Sequence, residues 1–413
     1  MTYLGRQPIF NIHAQCFAYE LLYRSCDINN NANFQDSALA TARVIVNLIH
    51  NLGVSPIIGD KIGFINVDET ILFSDALLLL PKEKFHFEIL EHTHVTLALI
   101  ERIKYMHALG YRFSLDDFDC TDAIIRDYEP LFPYIDFIKI DILAIGIHNV
   151  STAISKLQHY CIDLLAEKIE TYEEYKICQG LCFKFFQGYF FEKPIIISGR
   201  KFEPTALNAL RLMNCIYEND EPSYISKNLA ACPELVYNLL RHINSGAYTF
   251  KTQITEIKQM ITLLGPIKLI SWLGLFLYES PEKKPFGEEL FNSAKFRAKL
   301  MEELALLGEY KTLANKAFLT GSLSLIDAYL QIPMEEFLHE LNLDDEIKEA
   351  LLNHTGILGE LLYIAIEMNH AHNIEAVMNT LKTLNFSEED LLQACSRASI
   401  FVEESNQAKK SKG

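Results

Sequence analysis

The sequence predicts a (β/α) barrel followed by an all-α domain, and three observations carry that reading. Between residues 60 and 195, short apolar runs each end in a polar residue and lead into a helix-length segment. The terminal polar residues recur at intervals of roughly 20 to 28 residues, about one βα unit each. After Lys193-Pro194 and the Ser198-Gly199-Arg200 turn, the hydrophobic period becomes helical.

The runs cover 63–67, 85–90, 112–115, 137–140, 164–166 and 185–191. They are too short for helices and rich in Phe and Ile. Strands of a parallel sheet covered on both faces lose their alternation and read this way. Their polar ends are Asn66, Glu88, Asp116, Lys139, Glu167 and Gln187, and a barrel gathers such ends at one face. Beyond the turn, Leu207, Leu210, Ile216, Leu229, Val236, Leu239, Leu240 and Ile243 follow a helical period. Gly265-Pro266 and Ser280-Pro281 punctuate helices, Ser387 before Glu388-Glu389-Asp390 reads as an N-cap, and Gly356 reads as a C-cap for the run from Asp344. The polar, lysine-rich end, 404–413, reads as disordered.

Composition narrows the function. A chain of 413 residues with 49% hydrophobic content exceeds one ordinary core. A formal net charge of −17 repels nucleic acid and anionic lipid, so neither is an expected partner, and an anionic substrate would need metal ions to receive it. Nine cysteines without a CxxC pair, Cys178 and Cys182 being the nearest approach, point to a reducing cytoplasm and away from a zinc knuckle. The N-terminus has no apolar signal region, and 269–278, the longest apolar stretch, is about half a membrane span.

Carboxylates and amides at successive strand ends, with one lysine, can cage two hard divalent cations through oxygen ligands. Such a pair, about 3.5 to 4 Å apart, clamps a phosphodiester and lowers the pKa of a shared water. Asp116-Asp117 suits a bridging role, and Lys139 can orient the hydroxide and meet developing negative charge. Any one of these acids alone reads equally as a solvated loop residue or a helix cap. His92 and His94 read as solvated, and Phe183, Phe185, Phe186, Phe190 and Phe191 read as core packing.

Eight separated motifs together resemble the EAL domain: Gln7-Pro8-Ile9, Tyr19-Glu20-Leu21-Leu22-Tyr23-Arg24, Phe64-Ile65-Asn66, Glu88-Ile89-Leu90-Glu91, Leu115-Asp116-Asp117-Phe118, Ile138-Lys139-Ile140-Asp141, Ala166-Glu167-Lys168-Ile169-Glu170, and Gln187-Gly188-Tyr189 with Lys193-Pro194. The resemblance spans 1–196. It implies metal ligation by Glu20, Asn66, Glu88, Asp116 and Asp117, with Mg²⁺ or Mn²⁺ as cofactor. It further implies that Lys139 and Gln187 position the water, that Glu167 holds the second metal or its water, and that Gln7, Arg24, Tyr189 and Pro194 contact the substrate. EAL domains open cyclic di-GMP to linear pGpG.

The stretch from Pro233-Glu234-Leu235 to Asn244-Ser245-Gly246-Ala247-Tyr248, with Leu263-Leu264-Gly265 and Trp272-Leu273 beyond it, resembles the HDOD core, over 204–403. That resemblance implies a regulatory or interaction module with a protein partner, a helical bundle that merely stabilises a dimer being the alternative, and the EAL resemblance implies a homodimer. No His-Asp doublet, the metal-binding pair of related hydrolases, occurs in the chain.

This sequence departs from the family in three places. Glu-Ala-Leu is Glu20-Leu21-Leu22, where Leu21 points away from the face carrying Glu20. The Phe-Gly-Thr-Gly loop is Phe118-Asp119-Cys120-Thr121-Asp122, without its glycines. Glu-Gly-Val-Glu is Glu167-Lys168-Ile169-Glu170. The ligand set fits a cyclic di-GMP phosphodiesterase, the altered loop fits a receptor that binds without turnover, and a scaffold would need none of these strand-end ligands.

Overall fold

A computed structural model describes residues 2–25, 58–193, 204–218, 221–232, 235–236, 239, 257–278, 284–370 and 374–410. The chain divides into two compact units, one comprising Met1–Lys193 with Asn369–Ala371 and the other Pro194–Met368 with His372–Gly413.

The first unit is a closed eight-stranded barrel in chain order: β1 (Thr2–Asn11), β2 (Cys16–Ser25), β3 (Ile62–Val67), β4 (Phe85–Ile89), β5 (Arg112–Leu115), β6 (Phe137–Asp141), β7 (Asp163–Ile169) and β8 (Phe185–Gly188). β1 runs antiparallel to both its neighbours, β2 and β8, and every other pair is parallel. Helices follow the strands: α1 (Glu69–Leu72), α2 (Leu97–Ala108), α3 (Asp122–Tyr128), α4 (Ile142–Ile145), α5 (Val150–Ser155) and α6 (Tyr172–Gly180). Asp68, Thr96, Thr121, Asp141 and Thr171 each cap one of them by accepting a bond from a backbone N–H in its first turn.

Side chains alternate across a strand, so one parity of each strand fills the barrel. One interior layer is largely apolar. It includes Ile9, Ala18, Phe64 and Leu165, with Phe17, Ile62, Phe137 and Phe185 packed against them, and His86 stacked on Phe64 at 4.6 Å between ring centroids. Two residues along each strand, towards the C-terminal face of the parallel strands, the same parity gives Gln7, Glu20, Asn66, Glu88, Asp116, Lys139, Glu167 and Gln187. An apolar floor therefore carries a wholly polar ring.

Two expected strands differ in extent. The run 164–166 is the middle of a longer β7, which bulges between Ala166 and Ile169 against β8. The run 185–191 stops at Gly188, and Tyr189–Phe191 form a short 3₁₀ turn. Gly188 has φ +143°, and a Cβ there would lie 2.1 Å from the Ile169 carbonyl oxygen, so no other residue fits without backbone movement. Phe183, Phe186, Phe190 and Phe191 are buried, with Phe10 stacked edge-on against Phe191.

The second unit is mostly helical, with no strand among its described residues: α7 (Pro204–Glu218), α8 (Pro222–Ala230), α9 (Ile257–Leu264), α10 (Pro266–Phe276), α11 (Gly287–Leu307), α12 (Ala314–Leu323), α13 (Ile326–Leu330), α14 (Met334–His339), α15 (Asp345–Asn353), α16 (Gly356–His370), α17 (Ile374–Thr383) and α18 (Glu388–Lys410). α11 packs against α12 and α18. The crossing with α12 is close because Gly321 meets Ala298, where an added Cβ would lie 2.5 Å from the Ala298 Cα. Residues 269–278 are buried within this unit, and among the described residues no single helix is long and apolar enough to cross a membrane.

Gly265, at φ +74°, precedes α10 with Pro266 in its first turn, and Ser387 forms a reciprocal cap with Asp390 at the start of α18. Gly356 is not the C-cap of the helix from Asp345. His354 takes that left-handed position at φ +54°, and Gly356 opens α16. The tail is ordered further than its composition suggests, since α18 runs to Lys410. Near this end Lys295 of α11, a buried ammonium, donates to Asn406 Oδ1 of α18 at 2.6 Å. The Ser280-Pro281 break and the 233–234 and 240–248 portions of the HDOD-like stretch lie outside the described residues.

Candidate active site

The polar ring closes on Lys139. Its Nζ lies 2.6 Å from Asp116 Oδ1, 3.0 Å from Glu88 Oε1, 3.1 Å from Glu167 Oε2 and 3.2 Å from Glu20 Oε2. Lys139 is 1% exposed and Glu88 fully buried. One ammonium thus faces four carboxylates contributed by β2, β4, β7 and the end of β5. Gln187 Nε2 donates to Glu20 Oε2 at 2.6 Å and to Gln7 Oε1 at 2.8 Å, while Asn66 Nδ2 donates to Glu20 Oε1 at 3.1 Å.

The titration of these groups follows from burial and from the mismatch in charge. Burial drives Glu88 and Glu167 well above the usual carboxylate range, neighbouring carboxylates add to the effect, and Lys139 does not cancel it. Burial raises Asp116 too, helped by Glu20 and Asp117. Glu20 is the exception: burial would raise it, but the Lys139 charge and the bonds from Gln187, Lys139 and Asn66 bring it below its ordinary value. Burial opposes the Lys139 charge, yet its four acidic neighbours hold its pKa well above the ordinary lysine value.

Four buried carboxylates against one ammonium leave a deficit of positive charge that only protons or further cations can fill. Among the described residues, Asn66 Oδ1, Glu88 Oε2, Glu167 Oε1 and Gln187 Oε1 are buried oxygens with no hydrogen-bond donor. Unsatisfied carboxylate and amide oxygens in a negative pocket form a donor set suited to a hard divalent cation. The residues therefore fit such an ion.

Asp117 turns outward from its neighbour. It has φ +42°, and Glu91, Asp116 and Asp117 each offer an oxygen within 4.8 Å of the others. Lys168 bonds Asp117 from the other side, at 2.7 Å to Oδ1 and 3.0 Å to Oδ2, and bonds Asp141 Oδ2 at 2.8 Å. Burial would raise Asp117, but bonds from Glu167 and Lys168 hold it low. Asp116 and Asp117 thus bond different ammonium groups, Lys139 and Lys168, while still offering oxygens within 4.8 Å of each other.

Tyr189 is half-buried in the turn after Gln187. Arg24 lies on β2, but its side chain is outside the described residues, as is Pro194. His92 and His94 are exposed. Sequence reasoning did not select Glu91 or Lys168, although both stood in quoted motifs; the signal for Glu91 was its spacing three residues after Glu88.

The altered loop is well held without glycine. Phe118 N donates to the Lys139 carbonyl, Asp119 Oδ1 accepts from Thr121 N, and Phe118 packs edge-on against Tyr128 and Phe132. No residue of 118–122 has positive φ, so the missing glycines cost this backbone nothing.

Fold and site together define a barrel protein with a carboxylate-rich, cation-demanding centre at the C-terminal ends of its strands, where barrel active sites lie. A model of the EAL domain matches residues 63–194. Over 98% of its length the chain is 33% identical to the cyclic di-GMP phosphodiesterase CdgJ of Vibrio cholerae, spanning 93% of that protein. It is also 33% identical to the uncharacterized protein YuxH of Bacillus subtilis, over 92% of this chain and 94% of the other. Among solved structures it is similar to the FimX EAL domain from Pseudomonas aeruginosa bound to c-di-GMP, at 18% identity and TM-score 0.36 over 46% of this chain and 90% of that one. The chain belongs to the EAL domain family.

Proposed function

We propose that the barrel, over residues 1–196, hydrolyses cyclic di-GMP to linear pGpG with Mg²⁺ or Mn²⁺, and that residues 204–403 form an HDOD module coupling this activity to a protein partner. The observation that carries the reading is the Lys139 cluster: four acidic side chains around one ammonium, with unsatisfied buried oxygens beside them, in a near full-length relative of a cyclic di-GMP phosphodiesterase.

Glu20, Asn66, Glu88 and Asp116 would hold one cation, and Asp117 with Glu167 would complete the donor set. Bound divalent ions supply an activated water and neutralise phosphodiester oxygens. Gln187 fixes the Glu20 carboxylate in register, and Lys139 limits repulsion among the acids while offering a positive charge to the reacting phosphate. Gln7, Arg24, Tyr189 and Pro194 contact the nucleotide. With a net charge of −17, the protein depends on its bound cations to receive an anionic substrate. The eight described cysteines are free thiols, which fits a reducing cytoplasm. The family resemblance favours a homodimer.

One observation favours a second reading, a receptor without turnover: Lys168 engages both oxygens of Asp117. Chelator-treated full-length protein incubated with cyclic di-GMP, before and after Mg²⁺ or Mn²⁺ addition, separates the two. Metal-dependent pGpG supports the enzyme, and nucleotide binding without product supports the receptor.

A further inference from the structure

Lys168 has no part in the hydrolytic scheme above, yet its placement is strongly determined. By strand alternation it should point away from the interior that receives Glu167. The bulge in β7 falls at this point, and Lys168 adopts φ +54°, a conformation that non-glycine residues rarely take. Its side chain is thereby aimed at the carboxylates after β5 and at the end of β6. Asp117, its partner, also has positive φ, at +42°. Two unfavourable backbone conformations thus face each other across one ion pair, as happens where surrounding structure imposes a functional geometry.

The pair is closed. Lys168 Nζ contacts Asp117 Oδ1 at 2.7 Å, Asp117 Oδ2 at 3.0 Å and Asp141 Oδ2 at 2.8 Å. Asp141 is itself fixed, because its Oδ1 accepts from Ala144 N at 2.8 Å as the cap of α4. Asp117 also stands within the Glu91–Asp116–Asp117 oxygen group. An ammonium held here has the charge of a cation but cannot coordinate water or phosphate as a metal does.

We propose that Lys168 is a tethered competitor for the outer divalent cation. It occupies the Asp117 carboxylate in the resting protein, so a metal ion enters there only by displacing it, while the inner position on Glu20, Asn66, Glu88 and Asp116 is filled independently. The inference rests on the metal-dependent reading above. It assigns Lys168 as a positioning residue that sets how much divalent metal the site demands.

The test is Mn²⁺ binding to the full-length chain without nucleotide, followed by the electron paramagnetic resonance of free Mn²⁺. Wild type should bind one ion more tightly than the second. Lys168→Met should tighten the second by roughly three- to fivefold and leave the first unchanged, the order expected for releasing a half-exposed ion pair. Lys168→Gly, which suits the left-handed backbone, should do the same, and Lys168→Arg should resemble wild type. Superimposable isotherms for wild type and the Met and Gly variants would overturn the proposal. So would a weakened second site, since Lys168 would then be bracing Asp117 for the metal. If none of these proteins binds Mn²⁺, the metal-dependent reading itself fails, and this inference with it.

Discussion

Gln187 Nε2 donates a 2.6 Å hydrogen bond to Glu20 Oε2, joining the last strand of the barrel to the second across β1. The bond matters because Glu20 is the one member of the Lys139 cluster whose carboxyl is held below its ordinary pKa, and Gln187 is among the causes. Replacing Gln187 by Ala should leave the fold intact and weaken inner-site Mn²⁺ affinity by about 10- to 100-fold, the usual effect of removing a group that orients a metal ligand. Mn²⁺ titration of the variant measures this directly, and an unchanged affinity would show that Glu20 needs no such support.

Lys139 is the only described cation in the ring, so its loss leaves buried acids unmatched. Lys139→Met should destabilise the barrel by about 3 to 5 kcal/mol, the cost of breaking a buried ion pair from one side. Scanning calorimetry of the full chain should show the barrel transition falling, with added Mn²⁺ raising it more in the variant than in wild type. Equal metal effects in both proteins would count against the charge deficit.

Gly188 should tolerate no side chain. Its φ of +143° and the 2.1 Å approach to the Ile169 carbonyl leave Gly188→Ala no room, and the strain falls between Gln187 and Tyr189. A loss of at least about 2 kcal/mol is expected from positive-φ strain and backbone displacement together. Thermal unfolding checks it; a melting temperature within a degree of wild type would be inconsistent with this packing.

Asp327 gives the helical unit a pH dependence of its own. Burial pushes its carboxyl from 3.8 up to about 6; bonds from backbone N–H groups, including Ala328, and the Arg297 charge oppose the rise, while Glu335 adds to it. The folded state then holds a proton that the unfolded state has released. Stability from this group is complete below pH 3.8 and is lost as pH rises through 6, by on the order of 2 to 3 kcal/mol. Trp272, the chain's one tryptophan, is buried in α10 and reports this unit alone. Denaturant titrations followed by its fluorescence at pH 4.5 and 7.5 should show a loss in wild type that Asp327→Asn lacks.

Much of the site was legible because barrel geometry repeats. Strands covered on both faces reduce to apolar runs, and their polar ends at βα intervals marked six members of the ring, Asn66 to Gln187. Gln7 and Glu20 came only from motif resemblance, since Gln7 lies on the antiparallel β1 and Glu20 stands 46 residues before Asn66, outside the βα interval. Lys168 was illegible in its role, because a bulge set by the packing of Ile169 against Gly188 decides its direction and no local pattern encodes that. His354 replaced Gly356 as a helix cap for a similar reason: local propensity favours glycine, and the tertiary path of α15 and α16 decided otherwise. The end of α18 carries a contact that local composition does not encode, from Lys295, 111 residues upstream of Asn406.

The most direct test of metal-dependent hydrolysis is chromatographic detection of linear pGpG from cyclic di-GMP and Mn²⁺, for wild type and Glu20→Ala, with nucleotide binding measured in parallel in Ca²⁺. The Lys139-centred site predicts product from wild type and none from Glu20→Ala. Nucleotide binding by wild type with no product from either protein would contradict the enzymatic reading.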